Sequence, residues 1–390
     1  MRQSGGPHGE PSEPASSLEP WTGRLGGIRT TTGSGSLGRL GEEISTLGGT
    51  HAFLVTDNGL VQAGHVERAL AALAGAGLRV TTFTDVHENP STDDVARSLQ
   101  EAKKSAADIV VALGGGSAMD CAKATNFLLT NGGAMTDYWG YGKAAKPLLP
   151  MIAVPTTCGT GSEAQSYALI SQAGSRRKMA CGDPKAKFRS VLLDPELTLT
   201  APRWVRSVSG FDAIAHAVES LVTTRASEVS RALSERAFAL LEPAFEAAVA
   251  VEPSLEAFGR MQLGAFLAGA AIEKSMLGAA HAAANPLTAR HRITHGEAVA
   301  LMLPHVIRCN SREAGELYER LLPKGAEALA ARLEGLRRQG GLAGSLHERG
   351  VPRDDLGALA ELATEEWTGG FNPRPMTREI FLELYESAYE

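Results

Sequence analysis

The chain has 390 residues, 43% of them hydrophobic, and a formal net charge of −6. That length suits two domains of about 150–200 residues each, with ample apolar material for both cores. The acidic balance supplies no field for DNA, RNA or an anionic membrane surface, so a small soluble substrate is the default ligand and nucleic acid and membrane are excluded as partners.

Met1–Pro20 is rich in Gly, Pro, Ser and Glu and lacks an apolar segment. It is therefore no signal peptide, and it reads as a disordered leader occupying residues 1–28. Order is expected from near Thr30. His51–Thr56, HAFLVT, is short and apolar between polar turn residues and predicts a buried strand. Val61–Ala74 carries helical spacing, with Gly75 and Gly77 suited to end it. Arg79–Phe83 predicts a strand, Thr92–Ala106 a helix, and Ala107–Leu113 the clearest buried strand, leading into Gly114-Gly115-Gly116. Asp120–Phe127 is helical and Pro150–Pro155 again strand-like. Strand and helix alternate as in an α/β domain built on a parallel sheet, here assigned to residues 29–200.

Beyond about Thr200 the texture changes. Pro202–Leu221, Ser227–Val251, Ser254–Ala279, Gly296–Arg308, Glu313–Gln339 and Arg353–Trp367 carry helical periodicity, so residues 201–390 form a helical second domain. The four cysteines are scattered without CxxC spacing, which points to a reducing, cytoplasmic compartment. No window approaches the about 18–20 apolar residues that a membrane span needs.

Three groups of residues carry candidate chemistry. Asp212 and His216, in GFDAIAHAVES, stand four apart and project from one helical face, where they could share a ligand. A helix-start Asp and a core histidine would read the same way. Five of the ten histidines fall between His216 and His305. His281 and His295 sit beside Gly278 and Gly296, where an ion could approach the backbone. One carboxylate and three imidazoles suit Fe(II) or Zn(II) with a position left for a substrate oxygen. His291 reads as polar pocket rim, with proton relay as its functional alternative, and His305 as structural.

The second group is Gly114-Gly115-Gly116-Ser117, between strand and helix, which could bring backbone N–H groups to a pyrophosphate; a tight turn without ligand is the alternative. The third, Pro155–Glu163, is a hydroxyl- and glycine-rich loop that could bind a diphosphate, ribose or nicotinamide amide, or be a plain loop. Cys158 within it reads as packing. Asp57, at the end of HAFLVT, could accept hydrogen bonds from an adenosine ribose, or be an ordinary turn residue. Trp139, Tyr141, Phe188, Trp367 and Phe371 are candidates for the substrate pocket.

Taken in order, GSGSLGRLGEE, LVTD, ENPS, GGGSAMDCAKA, PTTCGTGSE, DPELTLTAP, GFDAIAHAVE, HGEAVALMLPH and FNPRPMT resemble the iron-containing (group III) alcohol dehydrogenase family, from about Gly33 to the C-terminus. The resemblance implies a Rossmann-like α/β dinucleotide-binding domain and an all-α C-terminal domain, the dehydroquinate synthase-like architecture, with a metal in the cleft between them. It implies Asp212, His216, His281 and His295 as ligands of that metal. It also carries cofactor contacts onto Asp57, Asn89, Gly115, Gly116, Ser117, Asp120, Thr156, Thr157, Thr160 and Lys178, with NAD expected over NADP because of the carboxylate at Asp57. A homo-oligomer, a dimer or larger, is implied as well.

Two departures stand out. Many family members carry a histidine four residues beyond the one matching His281, where this chain has Asn285, and Tyr167 replaces a polar cofactor contact of some relatives. The implied reaction moves a hydride between an alcohol and NAD(H), with the metal polarising the substrate oxygen. The competing readings are a lyase or polyol dehydrogenase on the same scaffold, and a scaffold that has lost catalysis; the complete Asp-and-three-His set favours neither.

Overall fold

The computed structural model describes residues 18–174 and 178–390. Among these described residues ten strands occur in chain order: β1 (Trp21–Leu25), β2 (Ile28–Thr32), β3 (His51–Val55), β4 (Arg79–Phe83), β5 (Ile109–Gly114), β6 (Gly140–Tyr141), β7 (Met151–Pro155), β8 (Tyr167–Ser171), β9 (Lys178–Gly182) and β10 (Ser190–Leu193). Seven of them form one sheet in the order β1-β2-β10-β7-β5-β3-β4. All its pairings are parallel except β1 with β2. A small second sheet, β6-β9-β8, lies outside it.

The expected leader is corrected over its last part. Trp21–Leu25 is a strand, joined to β2 by a two-residue turn at Gly26 (φ 58°) and Gly27 (φ 89°). Two successive positive φ angles are the mark of the hairpin turn that Gly-Gly supplies, and polar residues between Trp21 and Leu25 hide the strand from a hydrophobicity reading. Residues 1–17 lie outside the described ones.

β3 and β5 are buried on both faces, and their residues alternate between two cores. Phe53, Val55, Val110 and Ala112 face one cluster, while Ala52, Leu54, Ile109 and Val111 face the other. Such near-continuous apolar strands are what a parallel sheet covered by helices on both sides requires. The predicted Val61–Ala74 helix is broken into Asn58–Gln62 and His65–Gly75, because Gly64 adopts a left-handed conformation (φ 79°) between them.

The sheet gives way to helices after β10, the first long one being Arg203–Val222. Glu228–Ala248, Leu255–Ser275, Ala279–His291, His295–Cys309, Gly325–Gln339, Leu356–Glu365 and Arg378–Ser387 follow. Periodicity merged the end of the third of these helices with the start of the fourth, but Met276 (φ 70°) and Gly278 turn the chain, and a new helix carrying His281 begins at Ala279. Among the described residues no single helix is long and apolar enough to cross a membrane.

Candidate metal and dinucleotide centre

The Arg203–Val222 helix is almost wholly buried through its middle and projects Asp212 and His216 from one face. His281 comes from the first turn of the Ala279–His291 helix, and His295 opens the next. The Nε2 atoms of His216, His281 and His295 lie 3.6, 3.4 and 3.9 Å from Asp212 Oδ1. The His216 and His281 rings stack with centroids 4.9 Å apart, and His295 tilts against His281 at 5.3 Å.

These residues fit a metal ion. Asp212 Oδ1 and His281 Nε2 are buried without a hydrogen-bond partner. Candidate ligand atoms of Asp212, His216 and His281 all lie within 4.8 Å of one another. Ligand atoms around a tetrahedral ion with bonds of about 2.0–2.2 Å are about 3.4 Å apart, close to the separations found. Asp212 and the rings of His216 and His281 are buried, whereas 30% of the His295 side chain is exposed, which puts the opening of the site on its side.

The electrostatics favour a cation. Burial opposes charge on Asp212, yet the imidazoles of His216, His281 and His295 hold its carboxyl well below the usual range. Burial pushes His295 down to about 3, so its ring is neutral with a lone pair to offer. His281 differs: burial is outweighed by Glu219 and Asp212, which raise it to about 9. A cation arriving at Nε2 would therefore displace a proton there.

Glu219 was not singled out from the sequence. Its Oε2 is 2.5 Å from His281 Nδ1, and its Oε1 accepts the Ala280 backbone N–H at 2.7 Å. This buried carboxylate sets the His281 tautomer, with the proton on Nδ1 and Nε2 turned to Asp212. The signal was available, since residues 212, 216 and 219 fall at helical spacings of four and three on one face. Gly278 lets the chain pass close, because a Cβ there would lie 3.0 Å from Glu219 Oε1.

The second half of the site forms at the carboxyl ends of β3 and β5. Strand order runs outward from β3 to β4, returns to β5 and continues through β7 to β10, so β3 and β5 flank the switch point where open α/β sheets bind ligands. Gly115 and Gly116 lead there into the Gly116–Asn131 helix. A Cβ on Gly116 would be 2.8 Å from Thr160 Oγ1, and one on Gly115 3.2 Å from Thr157 Oγ1, so the Thr156–Thr160 loop packs onto the glycine turn. Asp57 caps the Asn58–Gln62 helix through the Leu60 N–H, and its Oδ2 would be 3.7 Å from a Cβ on Gly114. Asn89, in a left-handed conformation (φ 54°), donates its backbone N–H to Ser117 Oγ at 3.2 Å.

Behind this turn, Ser162 Oγ donates to Asp120 at 2.6 Å. The fully buried Lys123, which burial lowers to about 8, donates to Ser162 O and Tyr167 O. The same loop reaches the helical domain: a Cβ on Gly159 would strike Ser209, and one on Gly161 would strike Gly269. Carboxylates of both halves act on Lys178. Burial lowers its pKa, and Asp120, Asp212, Glu88 and Glu366 all act to raise it.

Other candidates fall elsewhere. His291 Nε2 is 2.7 Å from Asp355 Oδ2, a carboxylate also paired with Arg290, and no hydrogen bond among the described residues links it to the three clustered histidines. Phe188 is 2% exposed beneath Lys123 and belongs to the core, not to a pocket wall. Burial raises the Cys158 thiol strongly, in keeping with packing. Tyr141, Tyr167, Trp367 and Phe371 make a run of ring contacts 5.5, 6.1 and 5.7 Å apart that crosses from the small sheet to the helical domain.

Comparison with known proteins follows the same division. A family described as "Iron-containing alcohol dehydrogenase" matches residues 28–195, and "Fe-containing alcohol dehydrogenase family, C-terminal" matches residues 207–389. The lactaldehyde reductase of Escherichia coli (strain K12) is 32% identical over 375 residues, covering 92% of this chain and 97% of that protein. The crystal structure of a 1,3-propanediol oxidoreductase superposes with a TM-score of 0.88 at 30% identity, over 92% of this chain and 97% of the other. The sulfoacetaldehyde reductase of Bifidobacterium kashiwanohense, solved in complex with NAD+, gives 0.85 at 26% identity, over 93% and 96%.

Proposed function

The chain belongs to the iron-containing alcohol dehydrogenase family, and from that premise we propose that it is an NAD-dependent enzyme whose metal is held by Asp212, His216, His281 and His295. It is an oxidoreductase of alcohols and aldehydes. The observation that carries the finer reading is the convergence of three imidazole Nε2 atoms on the unpartnered Asp212 Oδ1. Fe(II) is the ion we assign, with Zn(II) the alternative that the same donors accept.

When bound, the ion supplies Lewis acidity toward a substrate oxygen and the dinucleotide supplies the hydride acceptor or donor. The protein's own residues do the rest. Glu219 fixes the His281 ring before any ligand arrives. The Gly115–Gly116 turn offers backbone N–H groups and a helix N-terminus to a pyrophosphate. Asp57 accepts from ribose hydroxyls and repels a 2′-phosphate, which supports NAD over NADP. Asn89, Ser117, Asp120, Thr156, Thr157, Thr160 and Lys178 are the further residues we assign to the dinucleotide. Tyr167 and Trp367, in ring contact across the two domains, are the aromatic wall we assign to the substrate side of the site.

We assign the residue 29–200 unit to dinucleotide binding and residues 201–390 to the metal. A cytoplasmic location is supported by Cys121, Cys158, Cys181 and Cys309, all free thiols. The small-molecule alcohol or aldehyde is the partner, and a homo-oligomer is the assembly we expect. Metal quantification of purified protein, combined with an NAD-reduction screen over short diols, n-alkanols and hydroxy acids, tests the reading. One metal per chain and NADH production from at least one alcohol are expected; metal-independent turnover, or no turnover with any alcohol, would refute it.

A further inference from the structure

Alcohol oxidation releases a proton, and none of the groups described so far is placed to take it. Asp212 is ringed by imidazoles, Glu219 is held by His281 and Ala280, Asp120 accepts from Ser162, and Asp355 is occupied by Arg290 and His291. Position 285 lies one helical turn beyond His281 on the same face. The Asn285 amide cannot exchange a proton near neutrality. What it does instead is visible: its Nδ2 donates to Glu366 Oε2 at 2.7 Å.

Glu366 is distant in sequence but well placed. It ends the Leu356–Glu365 helix and precedes Trp367, whose ring meets Tyr167 of the sheet domain at 6.1 Å. The carboxyl thus stands where the two domains face each other, one side chain removed from the helix that carries His281. Glu366 Oε1 accepts no hydrogen bond from the described residues. It is partly exposed, so a proton taken up there has a route to solvent.

We propose that Glu366, oriented by Asn285, is the proton acceptor of the alcohol oxidation, an assignment that rests on the dehydrogenase reading above. The carbinol C–H bond breaks with both electrons going to the nicotinamide, and the substrate O–H bond breaks as a new O–H bond forms on Glu366. The carbonyl product leaves, and the Glu366 proton passes to water at the mouth of the cleft. Reduction of an aldehyde runs the same path backwards, with Glu366 as donor. The surroundings suit both directions. Burial and Glu365 raise the Glu366 carboxyl above its ordinary range, while Asn285 and Lys178 act the other way, and the Tyr385 phenol is the remaining titratable neighbour. An upward shift moves a carboxyl toward the range in which it serves both as base and as acid.

The test uses the intact, metal-loaded enzyme with an alcohol identified by the screen above. Glu366→Gln is expected to lower kcat by about 10²–10⁴-fold, the usual weight of a general base, with metal content and NADH affinity within twofold of wild type. Formate or azide should restore at least tenfold of the rate lost in Glu366→Ala, which a merely structural carboxylate would not allow. Infrared pH-difference spectra of the metal-free protein should contain a protonated-carboxyl band that Glu366→Gln lacks. Should the Glu366 variants fail to retain metal, Asn285→Ala keeps the carboxylate but frees it, and should shift the pH profile of kcat with metal retained. A Glu366→Gln rate within threefold of wild type, rate loss without chemical rescue, or an unmoved Asn285→Ala profile would overturn the assignment. Wild-type protein inactive with every alcohol would instead overturn the dehydrogenase reading, and this assignment with it.

Discussion

Glu219 Oε2 lies 2.5 Å from His281 Nδ1, across the face of the helix that also bears Asp212 and His216. One side chain thus decides which nitrogen of His281 is available to a ligand. Removing it leaves the ring free to turn and to swap tautomer. Glu219→Gln and Glu219→Ala should weaken metal affinity by about 10–100-fold, the usual weight of such an orienting partner. Competition with a chelator measures this, and circular dichroism checks the fold. Unchanged affinity in folded Glu219→Ala would remove the residue from the site.

Asp57 stands beside the glycine turn and uses one oxygen to cap a helix. Its second oxygen and its charge are what a ribose would meet. Asp57→Gly should raise the NADP/NAD ratio of kcat/KM at least tenfold by removing the repulsion of a 2′-phosphate. An unaltered ratio would take Asp57 out of cofactor recognition.

Gly116 has no room for a side chain against Thr160. Gly116→Ala should push the Thr156–Thr160 loop away from the turn and weaken NADH binding about tenfold or more, with metal content unchanged. Fluorescence titration with NADH reads the first and elemental analysis the second. Wild-type NADH affinity would mean that the close packing of turn and loop does not matter for the dinucleotide.

Asp94 gives a pH-dependent prediction away from the site. Burial opposes its ionisation, but the Ser91 amide and hydroxyl, His87 and Arg97 hold its carboxyl at about 2, below the ordinary 3.8. The folded state therefore keeps the charge to lower pH than the unfolded chain does. The stabilisation is complete above about pH 4 and fades as pH falls toward 2. Asp94→Asn keeps an acceptor for the capping box that starts the Thr92–Ser105 helix but removes the charge, so it should cost about 1 kcal/mol at pH 7. Urea unfolding should find that difference shrinking between pH 4 and pH 2.5; a constant difference would contradict the assignment.

Much of this was legible in the residues. Strands β3, β5 and β7 stood out because parallel strands buried on both faces are largely apolar, and Asp212 with His216 stood out because a spacing of four lies on one helical face. β1 stayed hidden because an edge hairpin needs only Trp21, Leu25 and a Gly-Gly turn. β6 and β10 were missed for a related reason, since strands of two and four residues carry too few alternations to read. Glu219 could have been found by extending the helical face three residues past His216. Glu366 could not: its link to Asn285 spans 81 positions and depends on how the Leu356–Glu365 helix docks beside the Ala279–His291 helix.

The central claim is that one ion sits among Asp212, His216, His281 and His295. Anomalous diffraction from crystals grown with ferrous or zinc salt tests it most directly. The account predicts a single strong peak at bonding distance from Asp212 and from the Nε2 atoms of all three histidines, lost in His281→Ala. A catalytically active crystal with no peak there, or with its metal bound by other residues, would contradict it.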